Sequence, residues 1–429
     1  MTKRFLAFLL SCLLLESCST GNNLPVISTV TPEYQISSTP TSSPTSTQTE
    51  VVTPTASPEA MKYQCLDVTD RPPANYILKG TLVFDNDDNT DAYFLNKDTN
   101  NVYRFRRGKH ERLWGFEVSP DRKHIAYMRS TVDSPTMVAA VATADGWPVW
   151  SQATNSFLWT WFDNERLVRF FFPENGSASL FLLNPFTHER QDLQTDYPHS
   201  EMFANKPIPR WRFTGGGFPI YDPLLTRVIY PESRSQIQGK GWPIALWDTE
   251  AGKLITRIIT MDDWGETPLW TPDGKQFILA TNLDPNRLYK PANEFFAVSR
   301  DGEARQLTHF LDSYQEINIL DGYNLSPDGK RLAFWMGAKP SRFDDFRLAV
   351  LNIETGEVTN YCVMGGPFIN HETTPLSDPM WSPDSTQLLV VNRNPQDTKI
   401  RRVVLIDLGH SYAAQIGEDV EPVGWMVSP

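Results

Sequence analysis

One ten-residue unit recurs along the chain, and it restricts the fold more than any other feature of the sequence. Trp270-Thr271-Pro272-Asp273-Gly274-Lys275-Gln276-Phe277-Ile278-Leu279 matches Leu325-Ser326-Pro327-Asp328-Gly329-Lys330-Arg331-Leu332-Ala333-Phe334 nearly position by position. Two further copies are Val118-Ser119-Pro120-Asp121-Arg122-Lys123-His124-Ile125-Ala126-Tyr127 and Trp381-Ser382-Pro383-Asp384-Ser385-Thr386-Gln387-Leu388-Leu389-Val390. Weaker echoes occupy residues 161–168 and 221–230. The unit reads as strand, tight turn, strand. Pro presets φ, Asp accepts from local amides, Gly tolerates a positive φ, and the flanking residues favour strands.

A second signal alternates with the first: an apolar strand, a polar bend and another strand, as in residues 246–254 and 350–358. Counterparts lie at 96–100, 145–146, 184–187, 301–302 and 407–409, which makes seven hairpins separated by six Pro-Asp-type turns. Seven four-stranded units in a row meet that count. A unit of roughly 40 to 50 residues with four strands, repeated in series, predicts an all-β chain closed into a β-propeller. Turn to turn, the units run 76–118, 119–161, 162–220, 221–270, 271–325, 326–381 and 382–427. The third is oversized with a degenerate turn, so six blades with one embellished is the alternative. With seven, the ring closes by packing residues 423–425 beside residues 80–84.

The Trp/Leu-Ser-Pro-Asp-Gly-Lys-x-Leu-Ala-Phe unit resembles the TolB-type, or WD40-like, propeller repeat over essentially all of residues 76–427. That resemblance implies fold more than function. The same propeller serves periplasmic scaffold proteins, sugar-binding proteins and the lid domains of prolyl peptidases. The chain departs from the familiar six-bladed periplasmic member in blade count and in having no evident extra α/β domain.

Lys3 and Arg4 precede an eleven-residue apolar run, residues 5–15, too short for a spanning helix of ~20 residues but suited to a signal peptide. Leu15-Glu16-Ser17-Cys18 resembles a bacterial lipobox, which implies cleavage before Cys18 and acylation of that cysteine. An ordinary secretory signal cut nearby is the alternative. Residues 28–58 are mostly Ser, Thr and Pro, with little to bury, and read as a disordered tether. The expected organisation is therefore a signal peptide over 1–17, a tether over 18–60 and a propeller over 61–429, in a lipid-anchored extracytoplasmic protein.

Thirty-nine Lys and Arg against 51 Asp and Glu give a net charge of −12, which disfavours nucleic acid as a partner. In each unit the two tight bends fall on one face of the ring. The long connections, at 194–218, 232–242, 260–266, 282–294, 309–321, 336–346 and 361–378, fall on the other. Long loops on a rigid scaffold commonly carry binding, although neutral loop drift produces the same asymmetry. Arg210, Trp211 and Arg212, then Asp262, Asp263 and Trp264, then Phe343, Asp344, Asp345 and Phe346 combine aromatic and charged groups suited to a protein or envelope-polymer partner. Plain loop packing is the competing reading of each. Trp114, Trp270, Trp335 and Trp381 sit at strand positions and read as inter-blade core.

Asp85, Asp87, Asn89 and Asp91 alternate like calcium ligands, but Thr90 stands where such a loop needs Gly and no distal carboxylate completes the shell. A solvated hairpin loop is the preferred reading, and neither metal nor cofactor is expected. No G-x-S-x-G elbow and no H-E-x-x-H occurs, and the seven histidines lack ligand spacing. A carboxylate pair drawn from different blades would leave no local signature, so an enzyme acting on carbohydrate or peptide at the propeller mouth is the alternative function. Cys65 precedes the ring and Cys362 lies in the sixth unit. They can form a disulfide in an oxidising compartment, or stay as a free Cys65 and a buried Cys362.

Overall fold

The computed structural model describes residues 61–86, 92–98, 101–105, 110–131, 134–144, 146–154, 159–171, 179–195, 197–198, 219–231, 242–260, 268–281, 294–310, 319–337, 346–365, 378–393 and 401–427. Their regular elements are β-strands. Two short ones precede the ring, β1 (Lys62–Tyr63) and β2 (Val68–Thr69). Blade 1 begins with β3 (Thr81–Asn86), β4 (Ala92–Leu95) and β5 (Val102–Arg104). Blade 2 holds β6 (Glu111–Val118), β7 (His124–Thr131), β8 (Ser134–Thr143) and β9 (Pro148–Thr154). Blade 3 holds β10 (Trp159–Trp161), β11 (Leu167–Phe171), β12 (Ser179–Leu183) and β13 (Arg190–Leu193). Blade 4 is β14 (Ile220–Tyr221), β15 (Arg227–Pro231), β16 (Trp242–Asp248) and β17 (Lys253–Thr260). Blade 5 is β18 (Leu269–Trp270), β19 (Gln276–Thr281), β20 (Glu294–Ser299) and β21 (Ala304–Gln306). Blade 6 comprises β22 (Ile319–Leu325), β23 (Arg331–Gly337), β24 (Arg347–Asn352) and β25 (Val358–Met364). Blade 7 comprises β26 (Met380–Trp381), β27 (Gln387–Arg393), β28 (Arg401–Asp407) and β29 (Tyr412–Glu418), and β30 (Val420–Met426) ends the ring.

These strands form seven antiparallel meanders. The third unit's β11 to β13 join β10 in a sheet of their own, which decides for seven blades over six. β30 returns to the first sheet and pairs with β3, Leu82 opposite Trp425 and Val83 opposite Gly424, as the sequence predicts. The first strands of neighbouring sheets contact one another, β6 with both β30 and β10, and β26 with both β22 and β30, which places them innermost. Each turn-to-turn sequence unit therefore supplies three strands of one blade and the innermost strand of the next. Blade boundaries fall one strand earlier than the sequence units suggest.

The repeated turn has one hydrogen-bond scheme. The hydroxyls of Ser119, Thr271, Ser326 and Ser382 donate to Asp121, Asp273, Asp328 and Asp384 at 2.7, 2.8, 2.5 and 2.7 Å. Each carboxylate also accepts an amide two residues on, from Lys123, Lys275, Lys330 or Thr386. The residue after the Asp lies in the left-handed region in all four, Arg122 at φ 65°, Gly274 at 64°, Gly329 at 69° and Ser385 at 60°. Turns also pack on one another around the ring. A Cβ on Gly329 would lie 3.1 Å from Pro272 of blade 5, and one on Gly274 would lie 3.4 Å from Pro223 of blade 4. The Pro-Asp-Gly sequence thus serves the turn and the neighbouring turn at once.

The tryptophan ahead of the turn stitches blades together. Indole N–H groups of Trp161, Trp270, Trp381 and Trp425 donate to Glu117, Ile220, Asn324 and Met380 of the preceding blade's inner strand, at 3.1, 3.3, 3.0 and 3.3 Å. Trp335, Trp381 and Trp425 are fully buried. The core is a series of clusters between adjacent blades. One joins Trp335, Leu348 and Val350 of blade 6 to Trp381, Leu388 and Val404 of blade 7.

Residues 61–75, which the sequence places in the propeller but in no repeat unit, run along the rim. β1 pairs in parallel with β25 and β2 in parallel with β29, so blades 6 and 7 become five-stranded. Cys65, between the two bridges, is disulfide-bonded to Cys362 with Cα atoms 4.8 Å apart. Further on, Gln387 accepts from the Lys79 amide at 3.1 Å and donates to the Ile77 carbonyl at 2.8 Å, and the chain then enters β3.

Candidate functional site

Antiparallel order within each blade fixes the faces. The first-to-second and third-to-fourth strand connections are the tight turns, and they lie on one side. The strand ends that flank the second-to-third connections and the passages between blades lie on the other, and the connections they flank include 232–241, 282–293, 338–346, 394–400, 194–219, 261–268 and 365–379. β25 runs from Val358, beside the hairpin bend, toward the long-loop side. Parallel β1 runs the same way, and Lys62 pairs with Glu357 of that bend at 2.6 Å. Met61 therefore enters the ring at its short-turn end.

Arg210, Trp211, Arg212, Asp262, Asp263, Trp264, Phe343, Asp344 and Asp345 lie outside the described residues, as do Cys18, Asp87, Asn89 and Asp91. Phe346 does not belong to an exposed binding set. It is 2% exposed, in the cluster with Trp335, and its ring lies 3.2 Å from where a Cβ on Gly337 would sit. That packing closes the ends of β23 and β24. Asp85 is likewise not a loop ligand but a buried residue of β3, opposite Ala92 and Glu421. Residues 361–364, assigned to a loop by sequence, complete β25. Among the described residues, no group of three His, Cys, Asp or Glu is placed to hold a metal ion.

Polar networks pin the roots of the long loops. The largest, 194–219, starts on its own Tyr197 and two tyrosines of blade 4. Tyr221 donates to the Gln194 carbonyl at 2.7 Å, so its phenol oxygen accepts from Tyr197 at 2.5 Å. Tyr230 stacks on Tyr197 with centroids 4.9 Å apart and donates to the Pro198 carbonyl. Burial raises both the Tyr197 and Tyr221 phenols above their ordinary range and keeps them neutral. In blade 5 the Thr308 hydroxyl donates to buried Glu294 at 2.6 Å. In blade 7 buried Arg402 donates to Asn392 at 2.9 Å, and Asn392 donates to the Met364 carbonyl at 2.9 Å. None of these anchors has a repeat position in the sequence, which is why sequence reasoning missed them.

On the innermost strand of blade 2, Glu117 accepts from Thr160 Oγ1 at 2.5 Å and from the Trp161 amide at 3.2 Å. Burial pushes its carboxyl up to about 7, against these two donors that favour the charged form.

In fold the chain is a β-propeller of seven blades. No family model and no curated protein matches it. Among solved structures it is similar to TolB from Acinetobacter baumannii, at 13% identity and a TM-score of 0.37 over 80% of this chain and 67% of that one. It is also similar to the β-propeller domain of the trilobed protease from Pyrococcus furiosus, at 13% identity and a TM-score of 0.45 over 82% of this chain and 100% of that one. A prolyl endopeptidase matches at 12% identity and a TM-score of 0.45 over 80% of this chain, which spans 49% of that protein's length.

Proposed function

We propose that the chain is a non-catalytic, extracytoplasmic, membrane-anchored scaffold that docks a protein or an envelope polymer on the long-loop face of its propeller. The observation that carries this reading is the division of the ring into two unlike faces. One is sealed by turns packed on turns, and Met61 enters at that end; on the other lie the described roots of the long connections, pinned by buried polar groups. A binding surface on rigid roots, on the side of the ring opposite Met61, suits such a role. In this reading residues 1–17 are a signal peptide, Cys18 carries the lipid, residues 18–60 are the tether and 61–429 the propeller. Arg210, Trp211, Arg212, Asp262, Asp263, Trp264, Phe343, Asp344 and Asp345 are the contact candidates.

The test is affinity capture from an envelope extract with residues 61–429, beside a variant whose 194–218 loop is replaced by a short Gly-Ser linker, both first shown to melt cooperatively. A protein or polymer retained by the first and lost from the second supports docking; retention by neither counts against it. The anchor is tested separately by Cys18→Ser, which should move the protein from the membrane to the soluble fraction.

Glu117 favours a second reading, an enzyme acting on carbohydrate or peptide at the mouth. Burial raises the Glu117 carboxyl to about 7 on an inner strand, the direction a general acid needs. Turnover of an envelope polymer that Glu117→Gln abolishes would establish that reading.

A further inference from the structure

We propose that residues 61–69 form a strap latched to the rim by a reducible Cys65–Cys362 bridge, and that opening the bridge bares the outer edges of blades 6 and 7 while the ring stays closed. The strap is held weakly apart from its covalent link. β1 and β2 are two residues each, and between them the Gln64 and Leu66 amides donate to the Asn360 and Tyr361 carbonyls at 2.9 and 3.1 Å. Its apolar anchors are Met61, buried, with Leu66 and Val68 half-buried, and its side-chain contacts are exposed or half-buried ones: Lys62 pairs with Glu357, Gln64 donates to Ser411 and Thr69 to the Ala413 carbonyl. The bridge sits midway between the two parallel contacts, so it governs both.

The latch is also open to attack. Cys65 is exposed, and Cys362 occupies a bulge of β25 at φ 61°, where the pairing with β24 shifts register. Exposed disulfides exchange readily with external thiols. The thiolate of an external dithiol attacks Cys65 Sγ, and the sulfur–sulfur electron pair leaves on Cys362 Sγ, which takes up a proton. The second thiol of the reagent then displaces Cys65 as a thiolate, which is protonated in turn. The reagent ends as a disulfide and the protein as two thiols.

Ring closure does not depend on the latch. It rests on β3 and β30, paired from Thr81 opposite Met426 to Asn86 opposite Val420, and on the Gln387 contacts to residues 77 and 79. With the strap gone, the Asn360 and Tyr361 carbonyls and the edge of β29 at Ala413 and Ala414 become acceptors for another extended segment. This inference stands whether or not the long-loop face docks a partner.

Amide hydrogen exchange of the full chain, with and without dithiothreitol, tests it. Peptide mass spectrometry of alkylated thiols reports the state of Cys65 and Cys362 separately from Cys12 and Cys18. Reduction should speed exchange at least tenfold in 61–69, 359–363 and 413–414 and leave 81–86 and 420–426 protected. The Cys65→Ser/Cys362→Ser variant should show the same pattern without reductant. Unchanged exchange in 61–69 with both thiols alkylated would overturn the latch. Loosening throughout the ring would overturn it too, since the bridge would then be part of closure.

Discussion

Glu117 couples one carboxyl to the contact between blades 2 and 3, since its acceptors hold Thr160 and Trp161 of the next inner strand. Its folded value, about 7, lies above the ordinary 4.5 because burial disfavours the charge. The folded protein therefore binds the proton more tightly than the unfolded chain does. The stabilisation is complete below 4.5 and is lost as pH rises toward 7. Glu117→Gln keeps an acceptor for both donors without the charge. Thermal melts at pH 5 and pH 8 should show the variant level with the parent at pH 5 and more stable by about 1 to 3 kcal/mol at pH 8. The turn aspartates Asp273, Asp328 and Asp384 act in the opposite sense. Burial alone would raise Asp328, but the Ser326 hydroxyl and the Lys330 amide outweigh it and hold it below its ordinary value. Its contribution is present above the ordinary carboxylate range and is lost as pH falls through the lowered value. Two glycines separate conformational strain from crowding at the same scale. Gly252 and Gly329 both have positive φ, at +61° and +69°, but a Cβ on Gly252 meets nothing within 4 Å whereas one on Gly329 meets Pro272 at 3.1 Å. Gly252→Ala should cost about 1 kcal/mol in urea unfolding, and Gly329→Ala about 1 to 2 kcal/mol more.

The repeat was readable because one short element does several things at fixed positions. Strand, turn and indole occupy consecutive residues, so Trp270-Thr271-Pro272-Asp273-Gly274 states the turn type, the blade order and the inter-blade contact together. The indole bond can be weighed on its own. Trp381→Phe keeps most of the buried ring and removes the N–H that reaches the Asn324 carbonyl. It should destabilise by about 1 to 3 kcal/mol, through the unpaired carbonyl and the smaller ring, as read by calorimetry. Elements without a repeat were not legible. β1 and β2 are two residues long, below the length at which alternation can be seen. The third unit's turn, Phe162-Asp163-Asn164-Glu165-Arg166, lacks Pro and Gly; Asp163 holds it instead, accepting from the Glu165 and Arg166 amides. Blade 4 replaces the turn hydroxyl with Asp222, which accepts from the Thr226 and Arg227 amides and pairs with Arg300 of blade 5 at 2.7 Å. Such substitutions keep the geometry and erase the motif. The candidate face was legible only as an order of long and short connections, because contacts at loop roots such as Tyr197–Tyr221 join residues with no periodic relation.

At the scale of the whole molecule, a ring must join its ends, and here the two ends are tied by different means. The C-terminal strand closes blade 1 through backbone pairing, while the N-terminal segment crosses blades 6 and 7 under a covalent bridge. Closure removes the open edges that a linear array of blades would present at its first and last sheets. Backbone pairing at the seam should therefore govern the cooperativity of the ring, and the strap should not. Gly80 separates the two. A Cβ there would lie 2.7 Å from the Met426 carbonyl oxygen, a backbone atom at the seam that can yield only if β30 shifts against β3. Gly80→Ala should lower global stability by about 1 to 3 kcal/mol. It should also speed amide exchange in 420–426 and 81–86 while the strap amides, held by the oxidised bridge, keep their protection. An exchange pattern confined to residues 61–69 would show that the seam tolerates the methyl group and that the strap carries more of the closure than its two short bridges suggest.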